Sequence, residues 1–169
     1  MSKSSRFRWK WLNYSGPGHF FLTFSVKDRD QVLSVVKNDG LLLLPPGEIV
    51  AERWKRLAQV FSWVKPKDHI VMPDHFHGII WFDLMQYHER DLEEEHGGKA
   101  CFSRVSRVVR HFKSATTMEI RRRTAQKAFR WQEGYIDRFI RNDSAYCAIQ
   151  RYIRENPDRW IQKRRRSRE

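Results

Sequence analysis

Residues 71–82, VMPDHFHGIIWF, constrain the fold more than any other stretch of the chain. Pro73-Asp74 divides two short apolar runs, DHIVM (68–72) and HFHGIIWF (75–82). Proline cannot donate to a sheet ladder, so it belongs where one strand ends and the next begins, and the two runs read as a hairpin-like pair. Such a pair is antiparallel, and the rest of the fold has to accommodate an antiparallel sheet.

The flanking segments extend that layout. GHFFLTFSV (18–26) follows a Gly-Pro-Gly turn signal and reads as a buried first strand, whereas QVLSVVKNDGLLLL (31–44) has no clear period. Pro45-Pro46-Gly47 opens EIVAERWKRLAQVFSWV (48–64), where Ile49, Trp54, Leu57, Ala58, Phe61 and Val64 recur at helical spacing. Residues 83–101, including HERDLEEEHGG, are acidic and polar and read as a long connector with no chemistry of their own. From Phe102 to Arg123, Val105, Val108, Val109, Phe112, Thr116 and Ile120 form one apolar stripe of a helix, with Arg104, Arg107, Arg110 and Lys113 off it. FRWQEGYIDRFIR (129–141) reads as strand or strand-loop, and Asn142 or Asp143 caps a helix running to about Glu155. The order strand, helix, strand, strand, helix, strand is the split βαβ arrangement, with one helix added. The expected class is α+β, a ferredoxin-like (RRM-like) antiparallel sheet with helices packed on it and a sheet face or cleft left for a ligand.

At 169 residues the chain is expected to be one domain, with a basic arm (1–15), a core (16–157) and a basic tail (158–169). Its 33 Lys+Arg against 20 Asp+Glu give a formal net charge of +13, which points to a polyanionic partner. The apolar run Leu41 to Leu44 falls far short of the roughly 20 residues a membrane span needs, and the basic start lacks the apolar core of a signal peptide. The expected location is the cytoplasm, with no membrane partner. Cys101 and Cys147 are too few for a disulfide framework and read as buried or idle thiols.

Alternation along a strand sends His75 and His77 to one face, about 7 Å apart, so their imidazoles can converge on one ion. Two ligands do not make a site. Asp74, His69 or a residue arriving from elsewhere could be the third. In YCAIQRYIRENPDRW, Tyr152 and Asn156 are four apart on the expected helix and share a face. By themselves they read equally well as a tyrosine packed on the sheet, with Tyr146 an alternative phenol, and a helix end ahead of Pro157.

The set GPGHFFLTFSVKDR, VMPDHFHGIIWF, FKSATT, YIDRFIRN and YIRENP, in this order and spacing, resembles the single-strand DNA transposases of the HUH endonuclease superfamily. These enzymes carry a His-hydrophobe-His motif and one tyrosine. The likeness is greatest to the REP-associated tyrosine transposase branch, over roughly residues 16–157. The resemblance implies that His75 and His77 bind Mg²⁺ or Mn²⁺, that Tyr152 is the nucleophile and that Asn156 is the third ligand, where insertion-sequence relatives carry glutamine. It implies cleavage of single-stranded or hairpin DNA through a 5′-phosphotyrosine intermediate, and rejoining of strands. Both a monomer and a homodimer sharing tyrosine helices suit it. Two rivals are a nucleic-acid-binding protein of the same fold that does not cut, and a hydrolase that uses water in place of Tyr152.

Expected DNA contacts are the basic groups: Arg104, Arg107, Arg110 and Lys113, then Arg121 to Arg123, and Lys163, Arg164, Arg165 and Arg166 in the tail. Trp9, Trp11 and Tyr14, interleaved with Arg6, Arg8 and Lys10, suit stacking on unpaired bases or else form an unstructured basic arm. Arg138 and Arg141 are candidates to stabilise the phosphate.

Overall fold

Strand β1 (Gly18–Ser25) leads through a 3-10 turn (Lys27–Arg29) into a small hairpin, β2 (Ser34–Lys37) and β3 (Gly40–Leu43). Helices α1 (Pro45–Lys55) and α2 (Leu57–Val60) follow, then β4 (Val64–Val71), β5 (His75–Phe82), α3 (Ala100–Arg123), β6 (Ile136–Ile140) and α4 (Asp143–Arg166). The computed structural model describes residues 17–37, 40–83 and 100–166. The expected basic arm, with Arg6, Arg8, Trp9, Lys10, Trp11 and Tyr14, lies outside the described residues, as do 84–99 of the acidic connector and the side chains of Cys101 and Arg165. Among the described residues no helix is long and apolar enough to cross a membrane.

The main sheet has four strands in the order β4-β5-β1-β6, and each neighbouring pair is antiparallel. This is the ferredoxin-like arrangement expected from the element order, with α1–α2 and α3 as the two crossovers. Strand alternation gives each face its own layer. Phe20, Leu22 and Phe24 of β1 and Phe76, Ile80 and Phe82 of β5 bury against Trp54, Leu57, Val105, Val108, Val109 and Phe112 of α1, α2 and α3. Gly78 is part of this packing, because a Cβ there would overlap the Trp54 indole. On the opposite face Ile79 and Ile140 meet Ile149 and Ile153 of α4. The two histidines belong to that second face.

Three boundaries differ from the sequence expectation. The stretch without a clear period forms the β2–β3 hairpin, in which Ser34 opposes Leu43 and Val36 opposes Leu41. The helix expected through Val64 ends at Val60, because Val64 is drawn into pairing with Phe82 and the Trp63 ring packs 5.4 Å from that of Phe82. Pro66 in β4 is accommodated by its place on an edge strand beside a register shift between Pro66 and His69. The third difference is α4, which runs through Pro157 to Arg166, so 158–166 is helix and not tail. Proline inside a helix costs about 3 kcal/mol. Half-buried Trp160 and Ile161 continue the packed face beyond it and offset that cost.

Candidate active site

The register of β1 on β5 sets Thr23 opposite His77 and Ser25 opposite His75. His77 Nδ1 lies 2.7 Å from Thr23 Oγ1. His75 Nδ1 is hydrogen-bonded to the carboxylate of Asp74, which the Pro73-Asp74 turn holds directly before the strand. Both rings therefore have Nδ1 engaged, which leaves each Nε2 available, and their centroids are 4.7 Å apart. An imidazole whose Nδ1–H is donated to an oxygen is oriented as a metal-binding imidazole is.

His77 is buried and stacks on Phe21 at 5.2 Å. Burial, reinforced by the charges of His75 and Arg29 and opposed by Asp74, pushes its pKa from 6.5 down to about 3. The ring is neutral at physiological pH. In the tautomer that donates Nδ1–H to Thr23, the Nε2 lone pair points out of the strand.

Helix α4 lies across this face. Its Tyr152 hydroxyl is 3.5 Å from His77 Nε2, at the outer limit of a hydrogen bond, with ring centroids 5.3 Å apart. Two turns on, the Trp160 ring is 5.9 Å from that of His75. Asn156 is four residues from each on the same helix face, so it sits between the two contacts; it is 6% exposed. Its amide nitrogen is 3.5 Å from the Tyr152 carbonyl. Arg159 lies 5.4 Å over the Tyr152 ring while pairing with Glu155.

Of the other residues considered as a third ligand, His69 points into the opposite layer, where it stacks on Phe76 at 5.9 Å. Asp74 is engaged with His75 and lies 3.7 Å from Arg29. Among the described residues there is no cluster of three His, Cys, Asp or Glu side chains able to hold a metal. A cation here would depend on two imidazoles and the Asn156 amide. The oriented imidazoles fit that role, and the neutral donor set leaves a hard divalent ion strongly Lewis-acidic.

The basic residues divide between the two faces. Arg138 opposes Phe21 across β1 and β6, so it is exposed on the histidine face, with exposed Arg141 just beyond the strand. Lys163, Arg164 and Arg166 are exposed on the last turns of α4. Arg104, Arg107, Arg110 and Lys113 stand on α3, across the sheet from the histidines. Arg107 lies 5.7 Å over the Phe61 ring, and Lys113 donates to the carbonyls of Gln132 and Gly134, its pKa lowered by burial to about 8. Arg123 pairs with Glu119 and Glu52. Thr23, Phe21, Arg29 and Trp160 escaped sequence reasoning. Only the strand alternation of Phe21 and Thr23 hinted at a shared face.

No protein-family model matches the chain. An uncharacterized protein of Haemophilus influenzae is 27% identical over 164 residues, covering 92% of this chain and 88% of its own length. Among solved structures, that of a REP-associated tyrosine transposase bound to a REP hairpin is similar with a TM-score of 0.56 and 18% sequence identity, over 94% of this chain and 74% of that one. At that identity the likeness establishes the fold.

Proposed function

We propose that this chain is a metal-dependent, transposase-like endonuclease and strand transferase acting on single-stranded or hairpin DNA, related to the REP-associated tyrosine transposases. The observation that carries the reading is the approach of the Tyr152 hydroxyl to His77 Nε2 at 3.5 Å, beside the His75 ring and within one chain. The fold shared with a hairpin-bound transposase and the +13 net charge support it.

His75, His77 and Asn156 would hold Mg²⁺ or Mn²⁺, which when bound supplies electrophilic polarisation of a phosphate oxygen. Tyr152 attacks the phosphorus of a DNA phosphodiester. The tyrosyl O–P bond forms as the bond from phosphorus to the 3′-oxygen breaks; the phenol releases its proton to solvent and the departing oxygen takes one up. The products are a 5′-phosphotyrosine and a 3′-hydroxyl. One phosphodiester replaces another, so a DNA 3′-hydroxyl can reverse the step and join strands without ATP. Because Tyr152 faces the histidines of its own chain, each protomer can supply a complete site.

Incubating the protein with labelled single-stranded hairpin DNA and Mn²⁺ or Mg²⁺ should yield an adduct that survives denaturation. Tyr152→Phe and His75→Ala should abolish it while retaining the wild-type circular dichroism spectrum. DNA cleavage without an adduct would favour hydrolysis by water, and salt-sensitive binding without any cleavage would favour a non-catalytic binder.

A further inference from the structure

We propose that Arg29 binds the scissile phosphate, its guanidinium meeting a non-bridging oxygen of the phosphodiester that Tyr152 attacks; the inference rests on the strand-transfer reading above. The first observation is backbone strain. Asp28 and Arg29 are consecutive residues with φ of 56° and 59°, and no other non-glycine among the described residues has a positive φ. The left-handed region is disfavoured for residues bearing a Cβ, by roughly 1–2 kcal/mol each, and persists where the surroundings impose it.

Here the surroundings are the turn that carries Asp74. The Val26 N–H donates to the Asp74 carbonyl at 2.8 Å and the Leu33 N–H to the Pro73 carbonyl at 3.1 Å, so the strained segment is tied on both sides to the turn preceding the histidines. The result is that Arg29 Nη1 sits 3.7 Å from one Asp74 oxygen while the other oxygen engages His75. Its side chain is 61% exposed and the contact is longer than a hydrogen bond, so its donors remain open to a ligand.

The chemistry asks for a cation at this place. The buried Asp74 carboxylate sits at His75 Nδ1, and its negative charge opposes the approach of an anionic phosphodiester to the histidines. As the tyrosyl oxygen adds, the monoanionic phosphate gains negative charge until the 3′-oxygen leaves. A permanently charged planar donor both cancels the carboxylate and meets that growing charge. Arg138 and Arg141 belong to β6 and its end, separated from β5 by β1, and Arg159 is paired with Glu155.

The test compares adduct formation by wild type, Arg29→Lys and Arg29→Ala on one hairpin-bearing single strand over a range of Mn²⁺ concentrations. The expected rate loss at saturating Mn²⁺ is about 10²–10³-fold for Arg29→Ala, the size associated with loss of one transition-state donor, with partial recovery in Arg29→Lys. The Mn²⁺ concentration giving half-maximal rate should not move. On DNA with an uncharged methylphosphonate at the cleavage position, the ratio of wild-type to Arg29→Ala rates should shrink. A raised Mn²⁺ requirement with an unchanged maximal rate, or an equal deficit on both linkages, would overturn the inference and reduce Arg29 to a support for Asp74. Wild-type adduct formation with an undiminished Arg29→Ala rate would overturn it alone. Absence of adduct in the wild type would overturn the strand-transfer reading and this one with it.

Discussion

At the scale of single side chains, the site is organised by what holds each imidazole at Nδ1. Thr23 does so for His77 and Asp74 for His75, one from the neighbouring strand and one from the preceding turn. Partners of this kind change metal affinity by about 10–100-fold when removed. Thr23→Val keeps the shape and deletes the oxygen, so the Mn²⁺ concentration needed for half-maximal adduct formation should rise by about that factor while the folded spectrum is unchanged. An unaltered Mn²⁺ requirement would show that Thr23 has no part in orienting the ring. The histidine pair was legible in the sequence because alternation is a property of one strand. Thr23 was not, because its neighbour is set by register with a residue 54 positions away.

At the scale of elements, α4 and α3 carry separate tasks. Tyr152, Asn156 and Trp160 lie on one face only if the helix passes Pro157 unbroken, and the Trp160 contact with His75 lies beyond the proline. Trp160→Ala should speed amide hydrogen exchange over 158–166 and leave 143–152 at wild-type protection; equal protection throughout would mean that the last turns stand without that contact. The sequence argued for a helix end near Glu155 because proline disfavours helical geometry in the residue before it. Packing across the sheet overrode that preference. On the other face Glu119 is 5% exposed and takes hydrogen bonds from Arg53 of α1 and from Arg123, joining α3 to α1. The Arg53 hydrogen bond, with that of Arg123, holds its pKa below the ordinary 4.5. The unfolded chain therefore binds the proton more readily, and the stability from this group is present above about pH 4.5 and lost as pH falls through the lowered folded value. Glu119→Gln should cost about 1.5–3 kcal/mol in urea unfolding at pH 7 and flatten the decline in stability below pH 4.5. An equally steep decline in the variant would assign it to other carboxylates.

At the scale of the whole molecule, the sheet separates two basic surfaces. Arg138, Arg141 and the end of α4 accompany the histidines, whereas Arg104, Arg107, Arg110 and Lys113 belong to the layer behind. DNA held at the histidines should sense the first set. In the background of Tyr152→Phe, replacing Arg138 and Arg141 together by Gln should lower the slope of log affinity against log salt by about 0.7 for each phosphate of the single strand that is no longer neutralised. Arg107→Gln should leave that slope unchanged. A fall in slope with Arg107→Gln, and none with the pair, would place the DNA on the α3 side. Net charge alone pointed to a polyanion but gave no side of the molecule, because charge is additive and carries no direction.

Periodicity, turn residues and charge are local properties, and they were enough to specify the order of the four main strands and their helices, the hairpin bearing His75 and His77, and a net positive charge suited to a polyanion, but not the small β2–β3 hairpin. Four decisions came from through-space packing: which strand neighbours β5, how far α4 runs, which face each basic cluster occupies, and that the strained turn at Asp28-Arg29 comes to rest on Asp74. Each depends on residues far apart in the chain, whose contacts outweigh local preference only once both faces of the sheet are covered.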